Sequence, residues 1–271
     1  MRRLLFIAGL LSAAAGRAED PARPARPDEV ALFKEAMKNS RQDTEHWAYT
    51  ETTTMKATKG RYPGETVVRF DPSKPYAEQF TPLKLEGKPP TAKQLRDYRQ
   101  RGEKRGERVA RAAEKARNPA YVPPPAPLRL GGSSVTPDLE HPRVVSEEEG
   151  RLIFEVPVQS PRQDIPVDKI QVLVTVSRPA GLIEHVSFHL RESFRVKLVA
   201  KIKAGEASMD FTIVDPKFGP VMTSLAGDLS ASLLFIPVDA TFARTRTEWQ
   251  RVKSYDERLQ VKLGPLQLLD F

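Results

Sequence analysis

Histidine is the residue type in this sequence best suited to binding a metal ion, and only His185 and His189 lie close together. On a helix, a spacing of four residues would bring both imidazoles within reach of one ion. On a strand, the two side chains share a face but lie about 13 Å apart. Val186 and Phe188 fill the alternate positions, which is typical of a strand. We therefore predict that both histidines lie on the polar face of a strand and that the protein binds no metal.

Sequence patterns typical of enzymes are missing. The chain contains no Gly-x-Ser-x-Gly, no glycine-rich phosphate loop and no His-Glu-x-x-His, and it has no cysteine to serve as a thiol nucleophile. The acidic run 147–149 precedes Gly150, and consecutive carboxylates on a turn are usually solvated. Asp71, Asp210 and Asp215 adjoin turns or strand ends, where aspartate is common for backbone reasons. We predict a protein that is not an enzyme, has no catalytic residue and needs no cofactor. A hydrolase assembled from distant residues is the remaining enzymatic alternative.

Positive charge is concentrated in one segment. The chain has a formal net charge of +8, and residues 91–117 contain ten basic and four acidic residues. Two prolines precede Thr91-x-x-Gln94, which matches a capping box, so the segment predicts a helix. The helix has few large apolar residues, and Gly102 and Gly106 weaken it. The pattern therefore predicts a solvated, protruding helix.

This basic helix, residues 91–117, has two interpretations. A solvated helix with partial internal ion pairing requires no partner. Alternatively, the helix docks on an acidic envelope partner or an anionic lipid surface, with Arg101, Arg105 and Arg108 as contacts. We expect no nucleic-acid partner, because the helix lacks interleaved aromatic residues.

Two periodicities organise the rest of the chain. Val30, Phe33 and Met37 recur at helical spacing, so residues 28–40 predict an amphipathic helix with Asp28 as its N-cap. Alternation of apolar and polar residues predicts strands at 46–56, at 65–70, in a broken edge strand at 76–85, and repeatedly from residue 142 onward.

These elements predict a mainly β fold of the α+β type. We expect a curved antiparallel meander or half-barrel sheet, with an N-terminal helix and the protruding basic helix. Residues 119–137, rich in proline and glycine, predict either a linker between domains or a long surface loop. We predict one domain over residues 28–271, because the strands before this segment are too few for an independent sheet.

Apolar residues on the predicted strands have two interpretations. They form an ordinary core, or some of them line a pocket for an apolar ligand on the concave face of the sheet. For a pocket, the predicted lining residues are Trp47, Tyr49, Val172, Val174, Phe211 and Phe235.

The N-terminus has the plan of a secretory signal peptide. Arg2 and Arg3 precede an apolar run of about a dozen residues, and small residues follow up to Ala18. We predict cleavage near Ala18, a proline-rich leader at 19–27, and a periplasmic or secreted bacterial protein. The apolar run is shorter than the roughly 20 residues that span a bilayer, so we do not expect an integral membrane protein.

The order of these elements resembles a known family. An exported chain with a short N-terminal helix, the strand His46-Trp47-Ala48-Tyr49-Thr50-Glu51 and a meander is similar to the LolA-type superfamily of periplasmic lipoprotein carriers. That resemblance implies a half-barrel sheet and a lipid or lipoprotein acyl chain as ligand. The stretch from Phe70 to Thr91, which begins Phe70-Asp-Pro-Ser-Lys-Pro and ends Leu85-Glu-Gly-Lys-Pro-Pro-Thr91, also resembles uncharacterised envelope proteins of Gram-negative bacteria. This resemblance implies no particular activity.

Overall fold

The computed structural model describes residues 22–40, 43–58, 64–117, 128–130, 133–160, 166–196, 200–233 and 236–259. The described helices are α1 (Pro27–Asn39), α2 (Ala92–Ala116) and α3 (Tyr255–Leu259). The described strands are β1 (Arg23–Pro24), β2 (Trp47–Ala57), β3 (Thr66–Phe70), β4 (Phe80–Lys84), β5 (Leu128–Leu130), β6 (Ser133–Pro137), β7 (Arg143–Glu148), β8 (Arg151–Glu155), β9 (Val158–Gln159), β10 (Ile170–Ser177), β11 (Leu182–Leu190), β12 (Phe194–Val196), β13 (Ala200–Thr212), β14 (Val221–Leu233) and β15 (Ile236–Arg251).

One large curved antiparallel sheet dominates the fold. Its strand order is β1-β7-β8-β10-β11-β13-β14-β15-β2-β3-β4, and β12 pairs with one end of β13. The C-terminal strand β15 pairs with β2, so residues on both sides of the segment 119–137 belong to the same sheet. The predicted mainly β, antiparallel fold is confirmed. Strand β4 lies at the edge of the sheet, as predicted. Pro82 has no N–H to donate, and an edge strand tolerates this because one of its sides pairs with no other strand.

The segment predicted as a linker or loop contains two short strands. Strands β5 and β6 pair with each other, and β6 also pairs with β9. No strand was predicted in this segment, because its proline and glycine content is typical of a linker or loop.

Alternation along the strands gives the large sheet one apolar face. Val172 pairs with Phe188 and Val174 with Phe154, and residues opposite each other in adjacent strands point the same way. We call this side the inner face and the other side the outer face. Continuing the register across the sheet places Tyr49, Glu51, Thr53 and Met55 of β2 on the inner face as well.

Helix α1 covers the inner face over β8, β10 and β11. Phe33 and Phe154 are both fully buried, with ring centroids 5.1 Å apart, and Ala36 packs beside them. The prediction of Asp28 as the N-cap is wrong: the N-cap is Arg26, the helix begins at Pro27, and Asp28 lies in its first turn. Proline suits the first helical position because the N–H that it lacks would have no helical partner there.

A buried carboxylate anchors the start of α1. The side chain of Glu29 is fully buried and forms ion pairs with Arg23, Arg26 and Arg178 at 2.7, 2.8 and 3.6 Å. The Arg23 hydrogen bonds lower the pKa of Glu29 to about 2, and the backbone N–H of Arg26 acts in the same direction. Glu29 therefore ties the N-terminal segment to the hairpin between β10 and β11.

Helix α2 covers the other end of the inner face. It has the predicted capping box, since Gln94 N donates to Thr91 Oγ1 at 3.3 Å and Thr91 N donates to Gln94 Oε1 at 2.8 Å. Gly102 is buried against Tyr76, where a Cβ atom would lie 2.2 Å from the Tyr76 carbonyl oxygen. Residues 107–117 are exposed. The helix thus docks by its middle and protrudes over its last part.

Candidate functional site

Three aromatic rings line the space between α2 and the sheet. Tyr49 pairs with Phe70, and Phe70 pairs with Phe80, so the register of β2, β3 and β4 places them in a row on the inner face. Their ring centroids are 5.1 and 4.6 Å apart. We call the space beneath α2 that these rings line the aromatic groove.

Two adjoining cavities make up the aromatic groove, and Tyr49, Phe70 and Phe80 line both. The first has a volume of about 320 Å³ and the second about 260 Å³. The first extends toward Glu45, Pro72, Tyr76, Gln79, Arg105, Val109, Ser254, Tyr255 and Asp256. The second extends toward Glu51, Thr53, Thr66, Val68 and Tyr98. Mostly apolar walls of this size with a few polar groups are typical of small-molecule sites.

Arg105 covers the first cavity from α2. Its guanidinium lies 4.3 Å from the centroid of the Phe80 ring and donates to Gln79 Oε1 at 2.7 Å. It also donates to the Tyr76 carbonyl oxygen at 3.3 Å. Within the described ranges it forms no ion pair with a carboxylate, and burial lowers its pKa. Arg105 is therefore a half-buried cation held by ring faces and neutral acceptors.

A charged trio lies beside the rings on β2 and β15. Arg246 Nε contacts Glu51 Oε2 at 3.0 Å, and Arg244 Nε contacts Glu51 Oε1 at 3.4 Å. The guanidinium of Arg246 also lies 4.6 Å from the centroid of the Tyr49 ring. We call Glu51, Arg244 and Arg246 the charged trio. It has one positive charge in excess.

Tyr49 lies where these groups meet. Burial raises the pKa of its phenol, while the cations Arg246, Arg244 and Arg105 act in the opposite direction. The phenol is thus neutral near pH 7 and within the field of three guanidiniums. The aromatic groove therefore combines apolar walls with a surplus of cations on its Arg244 side.

The residues predicted to line a pocket separate into two groups. Tyr49 lines both cavities, and its ring contacts Trp249. Trp47 is not among the residues that line them; it is 4% exposed, and its ring contacts Trp249 edge-on. Val172 and Val174 lie in the core with α1, 2% and 4% exposed, and Phe211 packs against that core. Phe235 lies outside the described residues.

The residues predicted as partner contacts also divide. Arg105 faces the aromatic groove, whereas Arg101 and Arg108 are exposed on α2. Arg101 lies 5.3 Å from the centroid of the Tyr98 ring. Arg105, which was predicted as a partner contact on a solvated helix, is instead half-buried and lines the first cavity together with Tyr49.

Phe70, Phe80 and the two arginines of β15 were missed as site residues in the sequence. The available signal was Glu51, a carboxylate on the same strand face as Trp47 and Tyr49. A charge in an otherwise apolar row predicts a buried partner. It does not say which of the many arginines supplies it.

His185 and His189 lie on strand β11 as predicted, and both side chains are on the outer face of the sheet. His185 Nδ1 contacts Asp210 Oδ1 at 2.7 Å, and His189 Nδ1 lies 3.7 Å from Glu206 Oε2. Searched over the described residues, the structure contains no group of three or more His, Asp or Glu side chains able to hold a metal ion.

Ser187 adds a hydroxyl to this outer row, 3.3 Å from His189 Nε2. Serine, histidine and glutamate are also the residue types that combine in the nucleophilic site of many hydrolases. However, Ser187 lies in the middle of β11 and pairs with Leu173 on one side and Ser208 on the other. Main-chain N–H groups there belong to the sheet, so they are not free to form an oxyanion hole.

Comparison with known protein families, with curated proteins and with solved structures finds no match to this chain. The resemblance to LolA-type carriers stays a prediction from the layout of the sequence. None of the described helices is long and apolar enough to cross a membrane.

Proposed function

We propose that this protein binds the apolar part of a lipid or of a lipoprotein acyl chain in the aromatic groove, without changing it chemically. The observation that carries the proposal is the pair of adjoining cavities lined by Tyr49, Phe70 and Phe80 beneath α2. The proposed place of action is the bacterial periplasm, after removal of residues 1–18. The ligand class accords with the resemblance to LolA-type carriers.

Apolar burial would supply the binding free energy. Each 100 Å² of acyl surface removed from water contributes about 2.5 kcal/mol. The three rings already lie side by side, so little side-chain ordering opposes binding. The part of the inner face beneath α1 is filled by Phe33 and Val172, which restricts the proposed site to the α2 end.

Two matched tryptophan variants test the proposal. Thr53→Trp places a large ring in the second cavity, whereas Thr54→Trp places the same ring on the opposite face of β2. We expect the wild type and Thr54→Trp to bind dodecanol in calorimetric titrations and Thr53→Trp to bind it at least about tenfold more weakly. An absence of dodecanol binding to the wild type, or equal weakening by both variants, would refute the proposal.

A second candidate function is docking through the exposed part of α2 on an acidic partner or an anionic lipid surface. The exposed range 107–117 carries four basic and two acidic residues, and Glu107–Arg111 is the one ion pair within it in the described structure. Arg101 and Arg108 would be the contacts. Sedimentation with anionic phosphatidylglycerol vesicles tests this function. Salt-sensitive binding should disappear in Arg101→Glu/Arg108→Glu, and unchanged binding would exclude the docking role.

A further inference from the structure

The charged trio lies at one end of the aromatic groove. Glu51 and Thr53 line the second cavity, and their partners in the register of β15 are Arg246 and Arg244. Thr53 is four residues from Tyr49 along β2, or about 14 Å. Arg244 therefore flanks the Thr53 end of the groove, and Arg246 lies over the Tyr49 ring. Glu51 is the member of the charged trio that lines the cavity itself.

The two arginines keep hydrogen-bonding capacity for a ligand. Arg246 Nε donates a hydrogen bond to Glu51 Oε2, whereas Arg244 Nε lies 3.4 Å from Glu51 Oε1 without a hydrogen bond. The Arg246 side chain is 12% exposed. In the part of the chain that the structure describes, no protein acceptor meets the Nη groups of either side chain. The Arg244 side chain is 38% exposed, so an anion can approach it from solvent. Guanidinium groups bind carboxylates and phosphates through paired N–H donors.

The opposite end of the groove carries the other sign of charge. Among the described residues, the charged side chains that line the first cavity are Glu45, Asp256 and Arg105, which together carry a net charge of −1, against +1 for the charged trio. Asp256 accepts a hydrogen bond from the Tyr76 hydroxyl at 2.6 Å. An anionic headgroup would be repelled there and attracted at the Arg244 end. This difference fixes the orientation of an amphiphile in the groove.

We infer that the ligand of the aromatic groove is an anionic amphiphile, with its carboxylate or phosphate bound by Arg244 and Arg246 and its acyl chain over Tyr49, Phe70 and Phe80. This inference rests on the proposed function and adds the chemistry of the headgroup. The anion offsets the excess positive charge of the charged trio and occupies the free Nη donors. A neutral lipid gains only the apolar contacts.

Calorimetric titration with three amphiphiles that share one acyl length tests the inference. Dodecanoate, dodecyl phosphate and dodecanol present a carboxylate, a phosphate and a neutral hydroxyl. We expect at least one anion to bind wild-type protein about ten- to a hundredfold more tightly than dodecanol. The tighter of the two anions identifies the headgroup. In Arg244→Gln/Arg246→Gln the ratio of anion affinity to dodecanol affinity should fall to about one, whatever the change in dodecanol affinity itself.

Two further variants control for charge and folding. Arg101→Gln/Arg108→Gln changes the net charge by the same amount on the exposed side of α2 and should keep the full preference for anions. Glu51→Gln/Arg244→Gln/Arg246→Gln removes the arginines without leaving Glu51 unpaired, so it tests the inference if the double variant does not fold.

The outcomes separate the inference from the proposed function. Equal affinity for dodecanol and both anions would overturn the inference and leave the proposed function standing. A preference for anions that persists in Arg244→Gln/Arg246→Gln and in Glu51→Gln/Arg244→Gln/Arg246→Gln would overturn the inference too, since the anion would then bind elsewhere. Failure of all three amphiphiles to bind would overturn the proposed function itself.

Discussion

Gly102 tests whether α2 docks on the sheet as described. Replacing glycine by alanine inside an exposed helix normally stabilises the helix by about 1 kcal/mol. At Gly102 the added Cβ would lie 2.2 Å from the Tyr76 carbonyl oxygen and 2.8 Å from Ala77 Cα. Both are backbone atoms, so they cannot turn away. Tyr76 and Ala77 lie in the loop between β3 and β4, so the helix must move away from this loop to admit one methyl group.

The expected sign of the change follows from two opposing magnitudes. Overpacking a close contact costs about 1–3 kcal/mol, and contact with rigid backbone places Gly102→Ala toward the upper end. After subtraction of the gain in helix propensity, we expect a loss of about 1–2 kcal/mol in the free energy of unfolding. Displacement of α2 also opens the aromatic groove, so dodecanol binding should weaken in the same variant.

Urea unfolding followed by far-UV circular dichroism measures this loss, and Gly106→Ala is the matched control. At Gly106 the added Cβ would lie 3.0 Å from Cβ, Cγ and Cδ2 of Tyr76, so a shift of a few tenths of an ångström relieves the contact. We expect Gly106→Ala to change the free energy of unfolding by less than about 1 kcal/mol. If Gly102→Ala instead stabilises the protein by about 1 kcal/mol, α2 does not pack on Tyr76 and the groove is not formed as described.

Three further predictions concern stability and processing. The lowered pKa of Glu29 corresponds to about 3 kcal/mol, which solvent around its partly exposed arginines reduces to about 2. Glu29→Gln should lose this amount at pH 7 in urea unfolding, and the difference should vanish as pH falls from about 4.5 to about 2; a pH-independent difference would exclude the ion pairs as its source. Hydrogen bonds to Asp43 and Glu257 raise the pKa of His46, so its contribution is full below its ordinary pKa and is lost as pH rises past the raised value. Amide exchange in α3 should therefore speed up, beyond the intrinsic rate, as pH rises above 6.5 in the wild type but not in His46→Gln. Equal profiles would contradict the link. Mass spectrometry of protein from a periplasmic fraction should show a chain that begins just after Ala18, whereas an intact N-terminus would contradict the signal peptide.

Local patterns made much of the fold predictable. The capping box at Thr91 located α2 to within one residue, and alternation on β11 placed His185 and His189 on the polar face. These features depend on neighbours within a few residues, which is the range over which helical and strand periodicity act. By helix propensity alone, glycine at position 102 only weakens the helix. Its close approach to Tyr76 depends on packing that the periodicity does not contain.

The site was less predictable because it is assembled from distant segments. Alternation identifies which residues share the inner face, but not which part a helix covers. Val172 and Tyr49 have the same apolar signature, yet one lies in the core with α1 and the other lines open cavities. Arg246 pairs with Glu51 only because the last long strand, β15, lies beside β2. That pairing spans most of the chain and has no local signal.

Native mass spectrometry of the protein purified from a bacterial periplasm tests the central claim most directly. Ligand binding in the aromatic groove predicts a stoichiometric adduct of lipid mass, which organic extraction releases and which is reduced in the Thr53→Trp variant but not in Thr54→Trp. A wild-type protein that carries no adduct and acquires none when dodecanoate, dodecyl phosphate or dodecanol is added would contradict the claim.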